Sequence, residues 1–210
     1  MPNILLADDH EVVRKGLIQI LAKSVPDLSV DEAVSGQEAL AWALKTDYAL
    51  VLLDISMPGR GGLEVLKEIR SRRPGIPVLI LSMHPEEEYA VRALRNGASG
   101  YVTKDSAAEE LVAAVRRVLA GGRYVSASLA ERLARELEPN AGRMPHDTLS
   151  DREYQVMRML AAGKTVKEIG EELSLSVKTI STYRSRVLEK MRLRNNAEIA
   201  RYAVENRLTG

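Results

Sequence analysis

Over the first 120 residues the hydrophobic pattern switches repeatedly between two periods. Short leucine-rich or β-branched runs stand at 3–7 (NILLA), 49–53 (ALVLL), 77–82 (PVLILS) and 99–102 (SGYV), with a weaker, more polar one near 28–34. Between them apolar residues recur at helical spacing over 11–23, 36–45, 63–73, 87–96 and 107–120. Apolar runs of strand length alternating with helices predict an α/β fold, a doubly wound parallel sheet of five strands covered on both faces. Ser35-x-x-Glu38 and Ser106-x-x-Glu109 have capping-box spacing, and Gly121-Gly122 closes the last helix.

Past residue 120 the strand-like runs stop. Residues 121–147 hold one amphipathic stretch at about 126–137, then Pro139, Asn140, Gly142 and Pro145, which predicts a linker carrying a helix. From 148 to 210 the apolar residues recur only at helical spacing. Ser150-x-x-Glu153, Thr165-x-x-Glu168, Ser176 and Asn195-x-x-Glu198 mark four helix starts. The expectation is therefore a first domain over 1–120 and a small all-α domain over 148–210.

Composition narrows the classes without choosing among them. The chain has 210 residues, 45% of them apolar, and a formal net charge of +1. It has no cysteine, which removes disulfides and thiolate metal sites, and its three scattered histidines cannot build a zinc finger. No apolar run approaches the ~18 residues of a membrane span. Carboxylates arrive by residue 8 with no basic start, so a cytoplasmic address is expected. Charge divides more usefully: residues 1–120 carry a net −3 and residues 147–210 a net +3. A polyanionic partner would belong to the C-terminal part.

In an open parallel sheet, ligands bind beyond the carboxyl ends of the strands, where strand order reverses. The first expected strand ends in Asp8-Asp9, the third in Asp54 and the fourth in Ser82, and the fifth is followed by Lys104. Clustered carboxylates raise one another's pKa unless a cation lies among them, and hard oxygen ligands without Cys or His suit Mg²⁺. Lys104 and Ser82 complete a receptor the size of a phosphoryl group. An aspartate there can act as nucleophile and form an acyl phosphate, and Asp54, alone at the end of the most apolar strand before "ISMPG", is best placed. Taken singly, each residue has an ordinary reading: Asp8 or Asp9 as a helix cap, Ser82 as a strand end, Lys104 as a solvated loop residue, Tyr101 at a core edge. Five polar groups on one rim outweigh those readings. His10 alone stays ordinary, a surface or capping residue.

The motifs "LLADDH", "LLDISMPG", "ILSMH" and "GASGYVTKD" occur in an order that resembles the receiver domain of two-component response regulators, over roughly residues 1–120. The resemblance implies a flavodoxin-like receiver with Asp54 as phosphoacceptor. It implies Mg²⁺ held by Asp8, Asp9, Asp54 and the backbone carbonyl of Ser56. Ser82 would receive a phosphoryl oxygen and Lys104 pair with the phosphate. Tyr101 would be an aromatic switch that turns inward on activation.

In the basic part, Thr165 to Leu173, a break at Ser174–Leu175, and Ser176 to Met191 have helix-turn-helix spacing. Gly170 would allow the two helices to approach closely. On the second helix Val177, Ile180, Val187, Leu188 and Met191 form an apolar arc. Lys178, Thr182, Ser185, Arg186 and Glu189 form the opposite face, with Thr179 and Lys190 beside it and Ser181 near the margin. Short hydroxyl side chains among basic ones suit a helix in a major groove. Arg184 falls near the apolar arc, from which snorkelling would carry its head to a phosphate.

The pattern "LSxRE…KEI…LSxSxKTI", within a match over about 148–208, is similar to the four-helix LuxR-type DNA-binding domain of the NarL/FixJ family. The likeness implies Ser181, Thr182 and Ser185 as base readers. It implies Lys167, Lys178, Thr179, Tyr183, Arg186 and Lys190 as phosphate contacts. The expected whole is a response regulator that is no enzyme beyond its own phosphoryl transfer and dephosphorylation. Its partners would be a sensor histidine kinase or small phosphodonor and double-stranded DNA. It would be a homodimer when active, reading half-sites ~10 bp apart. Two rivals remain: a Mg²⁺-dependent phosphatase with an aspartyl-phosphate intermediate, whose nucleophile would open a D-x-D motif, and a DNA-binding dimer that is never phosphorylated.

Overall fold

Five parallel strands form one sheet in the order β2-β1-β3-β4-β5: β1 (Asn3–Ala7), β2 (Ser29–Ala33), β3 (Leu50–Asp54), β4 (Val78–Ser82) and β5 (Gly100–Thr103). The computed structural model describes residues 2–106, 108–136, 144–206 and 208, in two compact units, Met1–Ala134 and Arg135–Gly210. Every position of β3 and β4 is buried, as befits central strands covered on both faces. The edge strand β2 (SVDEA) buries only Ala33, which is why its sequence signal is faint. Strand order reverses between β1 and β3, and their register pairs Ala7 with Leu53, so Asp8 and Asp54 emerge side by side.

Five helices alternate with these strands: α1 (Glu11–Ser24), α2 (Gly36–Lys45), α3 (Gly62–Arg72), α4 (Glu86–Arg95) and α5 (Ala108–Leu119). On one sheet face Ile4, Leu6, Leu50, Leu52, Leu79 and Leu81 pack with Leu17 and Leu21 of α1 and Leu111, Val115 and Val118 of α5. Residues of opposite parity, such as Leu5, Val51, Leu53 and Ile80, are equally buried, so the other face is covered too.

The caps follow the sequence with one exception. Ser35 accepts the Glu38 amide at 3.2 Å, and α5 closes with Gly121 N–H on the Val118 carbonyl and Gly122 N–H on that of Arg117. Helix α1, however, starts from His10 with no side-chain cap; Asp8 instead accepts the His10 amide at 2.9 Å. Ala107, inside the expected Ser106–Glu109 box, lies outside the described residues, as do Leu137, Pro139, Asn140 and Gly142 of the expected linker. The amphipathic stretch forms α6 (Ala127–Glu136).

The second unit is helical: a short 3₁₀ turn at Pro145–Thr148, then α7 (Asp151–Ala161), α8 (Val166–Leu173), α9 (Val177–Met191) and α10 (Asn196–Glu205). The reciprocal boxes at Ser150/Glu153 and Thr165/Glu168 are both made, and Ser176 and Asn195 each accept an amide in the first turn. Helix α7 packs on α9 and α10, and α8 on α9. Ile169, Leu173, Ile180, Val187, Met191 and Ile199 are buried there. Gly170 meets the Leu175 carbonyl, 2.9 Å from where a Cβ would stand. Among the described residues no helix is long and apolar enough to cross a membrane.

The loop after β3 is held by glycine contacts that no side chain could replace. A Cβ on Gly62 would lie 2.0 Å from the Asp54 carbonyl oxygen, and one on Gly36 2.1 Å from that of Arg60. Gly62→Ala should therefore destabilise the first unit by about 2 kcal/mol or more, through overpacking against backbone. Gly16, in mid-α1 with nothing within 4 Å of its would-be Cβ, provides the opposite case. Gly16→Ala should stabilise by about 0.5–1 kcal/mol. Denaturation followed by fluorescence of Trp42, the single tryptophan, reads both; shifts of the same sign would contradict these assignments.

Candidate functional site

The sheet brings the rim together. Asp8, Asp54 and Ser82 are buried at the strand ends, and Lys104 follows β5 with its amide on the Ser82 carbonyl at 2.7 Å. The Lys104 ammonium lies 2.7 Å from Asp8 Oδ2 and 2.7 Å from Asp54 Oδ2. The other Asp54 oxygen accepts the Ser56 amide at 3.1 Å, so both oxygens of the carboxylate are fixed. Burial raises the pKa of Asp54, against the pull of Lys104. Burial also disfavours the charge on Lys104, but the Asp54 and Asp8 carboxylates outweigh it and hold its pKa above the ordinary lysine value.

A group of ligand atoms from Asp8, Asp9, His10 and Asp54 lies within 4.8 Å of one another. Asp9 Oδ1 is buried and accepts no hydrogen bond, with His10 Nδ1 3.0 Å away. Oxygen donors with an unsatisfied, buried carboxylate oxygen fit a hard divalent cation. His10, set aside on sequence grounds, keeps an exposed ring but joins this group through its nitrogen.

Tyr101 is wholly buried, and its hydroxyl donates to the His84 carbonyl at 2.8 Å. Its pKa is raised by burial, with a Ser82 hydrogen bond acting the other way. His84 is a hub that the sequence pattern does not announce. Its amide donates to Ser82 Oγ at 3.0 Å, its Nε2 lies 3.2 Å from Ser56 Oγ, and its Nδ1 is 3.2 Å from Glu88. Arg14 is a second residue absent from the sequence expectations: buried, it donates to the Asp8 carbonyl at 2.8 Å and to Glu32 at 2.5 Å. Its signal is present in the chain, since Arg14 shares a helical stripe with Leu17 and Leu21.

In the second unit, the predicted recognition face is displayed on α9. Lys178, Ser181, Thr182, Ser185 and Arg186 are exposed, Thr179 and Tyr183 are half-buried, and Lys167 is exposed on α8. Thr182 and Ser185 hydroxyls bond back to the Lys178 and Ser181 carbonyls at 3.0 Å. Three side chains depart from the helical-wheel picture. Val177 of the apolar arc is 52% exposed, because it is the first residue of α9 and precedes the helix's packed turns. Arg184 is tied to Asn196 Oδ1 at 2.7 Å. Lys190 reaches Glu153 Oε2 at 2.6 Å, joining the cap of α7.

Residues 4–116 match the family described as "Response regulator receiver domain", and residues 147–203 match "Bacterial regulatory proteins, luxR family". The chain belongs to the two-component response regulators with a LuxR-type DNA-binding domain. This regulator is 37% identical to the response regulator UvrY of Escherichia coli over 209 residues, covering 99% of this chain and 96% of that protein. Identity to the response regulator GacA of Pseudomonas viridiflava is 38% over 207 residues, 98% of this chain and 97% of that one. Among solved structures, RcsB from Salmonella enterica serovar Typhimurium, bound to promoter rprA in the presence of the phosphomimetic BeF₃⁻, is similar with a TM-score of 0.65 at 25% identity. That match covers 96% of this chain and 98% of that one. A LuxR-family response regulator from Aurantimonas sp. SI85-9A1 is similar at 38% identity and TM-score 0.59, over 64% of this chain and 96% of that one.

The Lys190–Glu153 pair gives the regulator a testable structural residue on α9. Burial alone would raise the Glu153 pKa; Lys190 and the Ser150 amide and hydroxyl overcome it and hold the pKa below 4.5. A depressed carboxylate contributes stability that is complete above the unfolded value and lost as pH falls through the folded one. Lys190→Ala should therefore cost the second unit about 1–2 kcal/mol at pH 7. Glu153→Gln should remove part of the stability lost below pH 4.5. Far-ultraviolet circular dichroism reads both units while Trp42 fluorescence reads the first alone. An unchanged dichroism melt for Lys190→Ala would assign that lysine to DNA instead.

Proposed function

We propose that this regulator is phosphorylated on Asp54 and that the acyl phosphate controls how the LuxR-type domain binds double-stranded DNA. The functional divisions would be a receiver over 1–120, a linker over 121–147 and a DNA-binding domain over 148–210. The observation that carries the reading is the Lys104 ammonium between Asp8 and Asp54, on one rim with Ser82 and the Tyr101–His84 pair. It is also supported by the relatives, response regulators that this chain matches along 96% and 97% of their length.

Asp8, Asp9, Asp54 and the Ser56 carbonyl would hold Mg²⁺. When bound, the ion neutralises the carboxylates and the phosphoryl oxygens. The Asp54 carboxylate attacks the phosphorus of a kinase phosphohistidine or of a small acyl phosphate. A P–O bond forms to Asp54 and the donor's P–N or P–O bond breaks, the leaving group keeping the electron pair and an imidazole taking up a proton. Lys104 exchanges its bond with Asp54 for one with a phosphoryl oxygen, and the Ser82 hydroxyl donates to another. Tyr101 and His84 follow Ser82, since the His84 amide is bonded to Ser82 Oγ.

At the DNA, Ser181, Thr182 and Ser185 read bases, while Lys167, Lys178, Thr179, Tyr183 and Arg186 contact phosphates; Lys190 would add its charge from beside the face. The active form is a cytoplasmic homodimer whose upstream partner is a sensor histidine kinase or small phosphodonor.

Asp54→Asn should abolish Mg²⁺-dependent labelling by acetyl phosphate; labelling at the wild-type level would remove the assignment. At the DNA, changing Ser181 or Thr182 should alter base preference by about 1–3 kcal/mol at particular positions. Lys178→Ala should weaken all sequences alike and reduce the salt slope by about 1. Binding-site selection with each variant distinguishes them, and a uniform loss from both would refute the sorting.

A further inference from the structure

A segment that follows α5 grips the chain at both ends of the Tyr101–His84 hydrogen bond. At one end, Tyr124 forms a parallel bridge with Gly100, the residue before Tyr101, and its amide donates to the Ser99 carbonyl at 2.9 Å. A Cβ on Gly100 would lie 2.6 Å from the Tyr124 carbonyl oxygen, so only glycine admits this contact. At the other end lies Glu86, two residues after His84 and first in α4. Glu86 Oε2 accepts hydrogen bonds from Ser126 Oγ at 2.5 Å and Ser128 Oγ at 3.0 Å. Arg132 adds a bond to the Glu87 carbonyl at 2.5 Å, and the Tyr124 hydroxyl one to Glu110 of α5 at 2.9 Å.

Ser126 also caps α6, its hydroxyl accepting the Leu129 amide at 3.2 Å. One hydroxyl therefore joins the start of α6 to the start of α4. The Glu86 carboxylate belongs to the first turn of α4 and touches the cap of α6, where both helix dipoles favour its charge. A shift of the β4–α4 connection cannot leave α6 unmoved unless these bonds break. In the chain, α6 runs across the boundary at which the second unit begins.

We propose that Glu86, with Ser126 and Ser128, is a latch that ties the phosphorylation rim to α6 and passes the state of Asp54 to the linker. Glu86 is a positioning residue and takes no part in phosphoryl transfer. The proposal rests on phosphorylation of Asp54 as argued above.

The test uses the full-length chain with acetyl phosphate and Mg²⁺, and DNA selected by the phosphorylated wild type. Phosphorylation of the wild type should change DNA affinity by a factor in the usual coupling range, about 5–150. Glu86→Ala, and separately Ser126→Ala with Ser128→Ala, should be labelled at the wild-type rate while that factor falls below about 2. Hydrogen exchange over 127–134 should respond to acetyl phosphate in the wild type and not in either variant. Variants that keep the wild-type factor, that are no longer labelled, or whose α6 exchange still responds would overturn the latch while leaving Asp54 in place. A wild type that is not labelled, or whose DNA affinity does not change on labelling, would remove the phosphorylation reading and the latch with it.

Discussion

Lys104 reaches 2.7 Å from one oxygen of Asp8 and 2.7 Å from one of Asp54, and the side chains of all three are almost wholly buried. Removing such ions from water carries a penalty of several kcal/mol each, and only close opposite charge offsets it. With Asp9 beside them, three carboxylates face one ammonium, so negative charge stays in excess. A rim left that negative favours a divalent cation and, once the cation is there, a phosphoryl group. The sheet supplies the placement. Reversal of strand order between β1 and β3 sets Asp8 beside Asp54, and the β4–β5 pairing of Ser82 with Thr103 sets Lys104 opposite both.

What was legible in the sequence was whatever depends on local pattern. The buried strands, the helices between them and the caps at Ser35, Ser150, Thr165, Ser176 and Asn195 are each written within a few residues. The rim residues were legible because strand ends are. The cap of α1 was not, because Asp8 gives its carboxylate to the rim and to the His10 amide rather than to the helix amides, although the helix starts at Glu11 as its spacing predicts. His84 escaped because its partners Ser56 and Tyr101 lie 28 and 17 residues away in sequence, and no spacing in one stretch announces such a meeting. Lys190 shows the same limit from the other side. A helical wheel places it beside the DNA face, yet it is 37 residues in sequence from the carboxylate it holds.

Helix α9 thus serves two sides with one sequence. Ile180, Val187 and Met191 bury one side, while Lys178, Ser181, Thr182, Ser185 and Arg186 remain exposed. The two cationic side chains nearest the boundary are both engaged by neighbours, Arg184 by Asn196 and Lys190 by Glu153. The buried arc sets which face of α9 packs, and the two ties join its margin to α10 and α7. If Ser181, Thr182 and Ser185 read bases as proposed, they must be held within a fraction of an ångström, and that demand falls on the flanking pairs as well.

The same economy governs the route out of the rim. His84 uses its amide on Ser82 and its carbonyl on Tyr101, so one residue's two backbone groups connect the Ser82 hydroxyl on the rim to the buried ring of β5. Hydrogen bonds of this length allow little slack, and a displaced Ser82 must either carry His84 with it or break the contact. Directly beyond lie the first turn of α4 and the edge of β5, the two places to which the segment before and within α6 is bonded. Coupling over such a path needs no long chain of side chains. It needs shifts of two adjacent elements, a sheet edge and a helix start, which the Tyr124, Ser126 and Ser128 bonds would carry to α6.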